Sequence, residues 1–516
     1  MITRLSRHTL SALVATVLLA GCTSAGAGNL TTDGAAWAPA GADPALRHFY
    51  GQRIDWTACA DNPRTPDGYR SPVQCAELKV PLDYARPGDD ALDVALVRYA
   101  AARPEKRIGA LLVNPGGPGD SGAVMVARNP GAFDGPLHDR FDIIGFDPRG
   151  GVGTAPVNCL DDRARDDRLA TDRPAADHAA VLAEACRAAY GKVLPHLGTR
   201  DTARDMDVLR GALRDDKLNY LGLSYGTYLG GLYAEQFPDR VGRLVLDGPL
   251  PSSATVTENN VERQAGLENA LKAFAADCTN QASCPLGTDP GQAAQRLADF
   301  LDGLAGHPLP AGRGRTLTSA LAWAAVLREL SGGSQTWAEL YEPLNRAMTR
   351  GDGDDLLTFA DAANGRGDQG RYGVSADAPT AIACADSATS SPTPDRLSTA
   401  LADLAAKAPL VSKHAPEAAA LDPDCRAWPF RSPEQPHAIR AASGSTPVLV
   451  VGSTADPLAP YAGAQRFTAE LGNAVLLTRD GDGHTAYLHS NCIRAAVQAY
   501  LTEGLVPAAG THCSSI

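Results

Sequence analysis

Ser224 stands in the middle of Gly222-Leu223-Ser224-Tyr225-Gly226, between a short apolar run (Leu218 to Leu223) and a helical pattern from Tyr225 to Phe237. A serine hydroxyl attacks nothing until a base takes its proton, and the base needs an acid that fixes its tautomer. Asp456, in Ser453-Thr454-Ala455-Asp456-Pro457, and His484, in Asp480-Gly481-Asp482-Gly483-His484-Thr485, are the Asp/His pair in which each follows an apolar run. His489 is the rival base, beside the closing helix, and Asp247 the rival acid, one run beyond the serine. Upstream, Asn114-Pro115-Gly116-Gly117-Pro118-Gly119-Asp120-Ser121-Gly122 follows the run Ile108 to Val113. Such a loop lets backbone N–H groups approach a ligand and hold a developing oxyanion. Serine, acid, base and glycine loop together would perform acyl transfer.

The elements that must carry these residues follow from periodicity. Strand, tight turn, helix and strand (Val241 to Leu246) around Ser224 turn Gly-x-Ser-x-Gly into a nucleophile elbow. The stretch from Ala76 to Val80, a Pro87-Gly88 turn and the stretch from Leu92 to Tyr99 read as an antiparallel hairpin. Ile108 to Val113 and Phe141 to Phe146 suit strands buried on both faces. Helical spacing follows over Ala175 to Tyr190 and Thr202 to Leu213, the second capped by Thr199 or Asp201. Asp147-Pro148-Arg149-Gly150 reads as a structural turn, with Arg149 pairing an acid or a carbonyl. Alternation of strands and helices predicts an α/β chain with a mostly parallel sheet flanked by helices. Parallel strands end on one side, so Ser224, Asp456 and His484 would share one sheet edge.

After Leu250 the pattern becomes helical, with segments at Asn260 to Ala276, Gln292 to Leu304, Leu317 to Leu330, Thr336 to Met348 and Pro394 to Lys407. This predicts an inserted helical lid over 250–442, between a first core part at 49–249 and a C-terminal core part at 443–516. Trp323, Trp337 and Trp428 are expected to be lid core.

The N-terminus reads as a targeting segment. Arg4 and Arg7 precede an apolar stretch (Leu10 to Ala20) too short for a good membrane span, and Leu19-Ala20-Gly21-Cys22 resembles a lipobox with Cys22 as the lipidated residue. That gives a lipoprotein signal peptide over 1–21 and a flexible tether over 22–48, with cleavage after Ala25-Gly26-Ala27 as the alternative. Either way the protein leaves the cytoplasm, anchored by lipid or secreted. The ten cysteines besides Cys22 fit five disulfides in an exported protein; the expectation is pairing in sequential order, which the sequence alone cannot fix. No Cys/His spacing suits a metal. A net charge of −12 over 516 residues speaks against nucleic acid as a partner.

The combination of Leu112-Val113-Asn114-Pro115-Gly116-Gly117-Pro118-Gly119, Phe146-Asp147-Pro148-Arg149-Gly150, Gly222-Leu223-Ser224-Tyr225-Gly226-Thr227, the Val451 to Pro457 loop and the Asp482 to Thr485 turn resembles the exported tripeptidyl aminopeptidases. These belong to the prolyl-aminopeptidase-like α/β-hydrolases of bacteria such as Streptomyces. The resemblance runs from about Trp56 to the C-terminus and includes the Cys278/Cys284 pair. It implies the α/β-hydrolase fold, Ser224 as nucleophile, Asp456 as orienting acid, His484 as base, and the Tyr225 and Gly117 amides as oxyanion hole. It further implies a monomeric exopeptidase, without cofactor or metal, that releases short peptides, tripeptides foremost, from free N-termini. One departure stands out: prolyl aminopeptidases begin this glycine loop with His-Gly-Gly, and here Asn114-Pro115 precede the glycines. An exopeptidase needs an acid for the substrate ammonium, for which Glu258, Glu262 and Asp386 are lid candidates. The same catalytic parts would serve an esterase or amidase; a non-catalytic binding lipoprotein would not need all four.

Overall fold

Every residue of two consecutive strands, β4 (Gly109–Asn114) and β5 (Phe141–Phe146), is buried, as apolar runs in the middle of a covered sheet must be. The computed structural model describes residues 43–59, 72–170, 175–387, 392–413, 423–442 and 446–514. The expected signal peptide, Cys22 and most of the expected tether lie outside them. The first helical turns, Pro44–Leu46 and Arg47–Tyr50, bring Phe49 and Tyr50 into the core.

The other strands of the sheet are β1 (Thr57–Ala58), β2 (Val73–Pro81), β3 (Ala91–Tyr99), β6 (Leu218–Leu223), β7 (Val241–Asp247), β10 (Val448–Ala455), β11 (Ala474–Asp482) and β12 (His512–Cys513). Their order is β1-β2-β3-β5-β4-β6-β7-β10-β11-β12. The first three pairings, up to β3 with β5, are antiparallel and the remainder parallel. The expected hairpin is β2 with β3, in the register Val80↔Leu92.

Alternate residues of the central strands serve opposite faces. Leu112, Ile144, Tyr220, Leu246 and Val450 point to one layer, covered by helices Thr199–Ala212, Gly226–Gln236 and Tyr461–Leu471. Leu111, Ile143, Leu221, Val245 and Leu449 point to the other, covered by Gly122–Arg128 and Asn491–Glu503. A slip of one residue would exchange the two sets, so burial on both faces fixes which side chains reach the strand ends.

Among the described residues between β7 and β10, the regular elements are helices apart from a small hairpin of β8 (Leu309–Ala311) and β9 (Arg315–Leu317). Helices Val256–Cys278, Pro290–Gly303, Ser319–Ser331 and Ala338–Arg350 close around their own core, which holds Phe274, Leu301, Trp323 and Trp337. Trp428 belongs to a second apolar cluster, where helix Pro423–Ala427 packs on Ala175–Tyr190 and on Ala378–Asp386. A buried pair, Arg165 with Asp377 at 2.6 Å, ties these two parts of the chain together. Five disulfides join the cysteines in sequential order: Cys59–Cys75, Cys159–Cys186, Cys278–Cys284, Cys384–Cys425 and Cys492–Cys513.

Arg149 is fully buried and paired bidentately with Asp205 (2.7 and 2.8 Å), while its remaining N–H groups donate to the Leu82, Pro81 and His196 carbonyls. Its role is structural: it fastens the turn after β5 to the hairpin.

Candidate active site

β6 ends at Leu223, helix Gly226–Gln236 begins two residues after Ser224, and the turn between them puts Ser224 at φ +54°. A non-glycine residue in the left-handed region is strained, and here the strain lifts the side chain off the sheet edge. The turn is possible because a Cβ on Gly222 would lie 2.4 Å from the Gly226 carbonyl oxygen. The Ser224 amide donates to the Asp247 carbonyl at the end of β7, at 2.8 Å.

β10 and β11 deliver two more side chains to the same edge. His484 Nε2 lies 2.8 Å from Ser224 Oγ, and its Nδ1 lies 2.9 Å from each carboxylate oxygen of Asp456. A carboxylate only accepts, so Nδ1 carries the proton and Nε2 is the acceptor that faces the serine hydroxyl. Asp456 is held in turn by the amides of Leu458, Ala459 and Thr485. Burial pulls the His484 imidazole down, but the charge and hydrogen bond of Asp456 push it up, and the balance lies above the ordinary 6.5.

The rival acid and base go elsewhere. Asp247, fully buried, accepts from the amides of Ala486 and Tyr487 (2.9 and 2.8 Å), so it holds the backbone just beyond His484 rather than its ring. Burial, partly offset by those two donors, pushes its carboxyl up to about 6. His489 Nδ1 faces the Gln335 amide at 2.8 Å. The insertion grips the same loop from above. The His484 amide donates to the Ser331 carbonyl at 2.9 Å, and Ser334 donates to Asp482 through its amide (2.9 Å) and hydroxyl (3.0 Å).

The glycine loop lies against the elbow. A Cβ on Gly116 (φ +108°) would fall 2.6 Å from the Leu223 carbonyl oxygen and 2.9 Å from the Tyr225 nitrogen. The loop is anchored by Ser121, which caps helix Gly122–Arg128 and donates to buried Asp147. Neither the Gly117 nor the Tyr225 amide has an acceptor among the described residues. Two free N–H groups beside an activated hydroxyl are what a tetrahedral oxyanion requires.

A cavity of about 810 Å³ opens over Ser224 and His484. Gly117, Pro118 and Tyr228 line its core side, Asn259 and Arg263 come from helix Val256–Cys278, and segment 429–437 forms a further wall. Of the three lid acids, only Asp386 reaches this cavity. Its Oδ1 accepts from the Thr199 amide (2.7 Å), and its Oδ2 from the Thr199 hydroxyl (2.6 Å) and the Tyr225 hydroxyl. Burial outweighs these donors and raises the carboxyl to about 6. Glu258 instead completes a capping box with Thr255, and Glu262 pairs with Lys407 at 2.7 Å. Both line an adjoining cavity of about 970 Å³ that contains neither Ser224 nor His484. Sequence reasoning passed over Glu434, Arg200 and Arg431, which also line the Ser224 cavity. They come from distant stretches with no spacing to mark them.

Comparison with known proteins places this geometry. Residues 393–513, which carry Asp456 and His484, match the family described as TAP-like protein. The chain is 35% identical over 487 residues to serine protease Hip1 of Mycobacterium tuberculosis, covering 90% of this chain and 91% of that protein. It is 36% identical to carboxylesterase B of the same species (89% of each) and 30% identical to tripeptidyl aminopeptidase of Streptomyces lividans (98% and 96%). Among solved structures, proline iminopeptidase of Mycobacterium smegmatis aligns over 82% of this chain and 97% of its own, at 15% identity and a TM-score of 0.31. The chain is a serine hydrolase of the α/β-hydrolase fold, and it belongs to the TAP-like family.

Proposed function

We propose that the protein is an extracytoplasmic serine exopeptidase that releases short peptides, tripeptides foremost, from free N-termini. The observation that carries this reading is the unbroken line Asp456–His484–Ser224 beneath a cavity of about 810 Å³. That volume suits a small ligand rather than a folded chain. His484 Nε2 takes the Ser224 proton as Oγ attacks the scissile carbonyl. The Tyr225 and Gly117 amides receive the oxyanion, each worth roughly 3–4 kcal/mol in comparable sites. The imidazolium then protonates the leaving amine, and water enters by the same base to free the acyl group. Asp386 and Glu434 are the carboxylates of this cavity that a substrate ammonium would meet. Export is supported by the five disulfides; Cys22 would carry the lipid anchor.

The relative named carboxylesterase favours a second reading, hydrolysis of small esters or amides by the same triad. Free-amine and N-acetylated tripeptidyl anilides, with Ser224→Ala as control, separate the two. Cleavage restricted to free amines is expected. Equal cleavage of the acetylated forms, or a preference for simple esters, would sink the exopeptidase reading.

A further inference from the structure

Three arginines enter the wall of the Ser224 cavity, and their counter-charges differ. Arg200 is neutralised twice, by Glu434 at 2.6 Å and Glu235 at 3.1 Å. Glu434 thus pairs with Arg200 and the Asp386 carboxyl accepts from Thr199 and Tyr225, and neither pairs with Arg431. Arg431 is half-buried and makes no hydrogen bond or ion pair with any described residue. It stands where the 810 Å³ and 970 Å³ cavities meet, together with Asn259, which also lines both. Arg263 follows Asn259 by four residues on helix Val256–Cys278, hence on the same helix face, and its charge reaches the His484 imidazole. Asp395 and Asp403 line the adjoining cavity from helix Pro394–Lys407, and neither is within ion-pair distance of Arg431.

A guanidinium that has given up part of its hydration without gaining a counter-ion is a receptor for an anion. Its planar fork matches a carboxylate through two parallel N–H···O bonds. His484 hands its proton to the leaving amine, so the leaving group lies on the side of the site that Arg263 flanks.

We propose that Arg431, supported by Arg263, forms a carboxylate-binding subsite, so that this enzyme favours peptides carrying a carboxylate beyond the scissile bond. The carboxylate is either the C-terminus of a short peptide or an acidic side chain. The substrate class rests on the peptidase reading; the binding itself does not.

Binding is therefore measured on the Ser224→Ala protein, which cannot turn over, using tetra-alanine acid, its C-terminal amide, and Ala-Ala-Ala-Glu amide. One charge-assisted contact predicts about a ten-fold tighter Kd for at least one carboxylate-bearing peptide than for the plain amide, the equivalent of about 1.4 kcal/mol. Preference for the acid alone identifies the C-terminus, and preference for the Glu amide alone identifies the side chain. Arg431→Gln should bring the ratio to about one, and Arg431→Lys should keep part of it. Equal Kd values for all three peptides, or a ratio untouched by Arg431→Gln, would overturn the proposal. If the protein with Ser224 intact cleaves none of these peptides while the binding preference persists, the peptidase reading falls and the subsite stands.

Discussion

Asp247 and Asp456 are both buried beside His484, and the structure gives them different work, which Asp247→Ala and Asp456→Asn should separate. Asp247→Ala leaves the Ala486 and Tyr487 amides without an acceptor in a site fully closed to water, at about 1–3 kcal/mol each. Against this runs the cost of burying the carboxylate. Its value is raised from 3.8 to about 6, so its favourable contribution is present below pH 3.8 and lost as pH rises through 6. The loss reaches about 3 kcal/mol above pH 7, with roughly half already gone at pH 5. Removing the acid relieves that penalty more fully at pH 8. Asp247→Ala should therefore be more destabilising at pH 5 than at pH 8, by about 1 kcal/mol, with a net effect at pH 8 between roughly −1 and +3 kcal/mol. Denaturant melts at the two pH values give the difference, and turnover of an activated ester in the same samples gives kcat. Asp456→Asn presents an amide donor to His484 Nδ1 and disfavours the productive tautomer, for which a fall of about 10⁴ in kcat is the precedent. The assignment fails if Asp247→Ala lowers kcat as deeply as Asp456→Asn while its stability is the same at both pH values.

Because the His484 imidazole titrates above 6.5 and must be neutral to act, kcat/KM should rise with pH along a limb centred above 6.5; a limb below 6.5 in a pH–rate profile would contradict the pairing with Asp456. Gly116→Ala should drive the glycine loop off the elbow and cost roughly 10²–10³ in kcat, the loss typical of one oxyanion donor, while circular dichroism keeps its native form. Replacing Cys384 and Cys425 by serine opens a loop of 41 residues, which the chain-entropy model values at about 4 kcal/mol. It also loosens helix Ala378–Asp386, so KM should rise more than kcat falls; an unchanged melting temperature would refute this.

The features legible in the sequence are those that a short stretch determines by itself. β5, β6 and helices Ala175–Tyr190 and Pro394–Lys407 fall where periodicity puts them, because burial on one or both faces writes a period into ten residues. Ser224, Asp456 and His484 were legible because each follows a strand in a parallel sheet, and such strands end on one side. Contacts between remote stretches were not legible. Helix Thr199–Ala212 was expected to be capped by Thr199 or Asp201; its first residue is N-capped by Gly198, which offers no side chain, and the Thr199 amide is satisfied by Asp386, 187 residues away. The walls of the Ser224 cavity are of the same kind. Arg200, Arg431 and Glu434 have no periodicity to betray them, since only the packing of the insertion on the core makes them neighbours. Short helices Gly122–Arg128 and Asp354–Ala363 begin where glycine-rich stretches end, and neither is among the helical segments that periodicity marks.

The grip of Ser331 and Ser334 on the segment Asp482 to His484 makes the insertion more than a roof. It acts as an interlock: the base is held in register with the serine from both sides, by Asp247 below and the insertion above. A chain whose insertion has not yet folded lacks half of that support, so promiscuous hydrolysis by a half-built enzyme is disfavoured by the architecture itself. The same contact couples the end of helix Ser319–Ser331 to the base, so a hinge there would carry His484 away from Ser224. Entry past helix Ala378–Asp386 and segment 429–437, which also line the cavity, would leave that contact undisturbed. Hydrogen exchange should then find the His484 amide among the slow class even while those segments exchange freely.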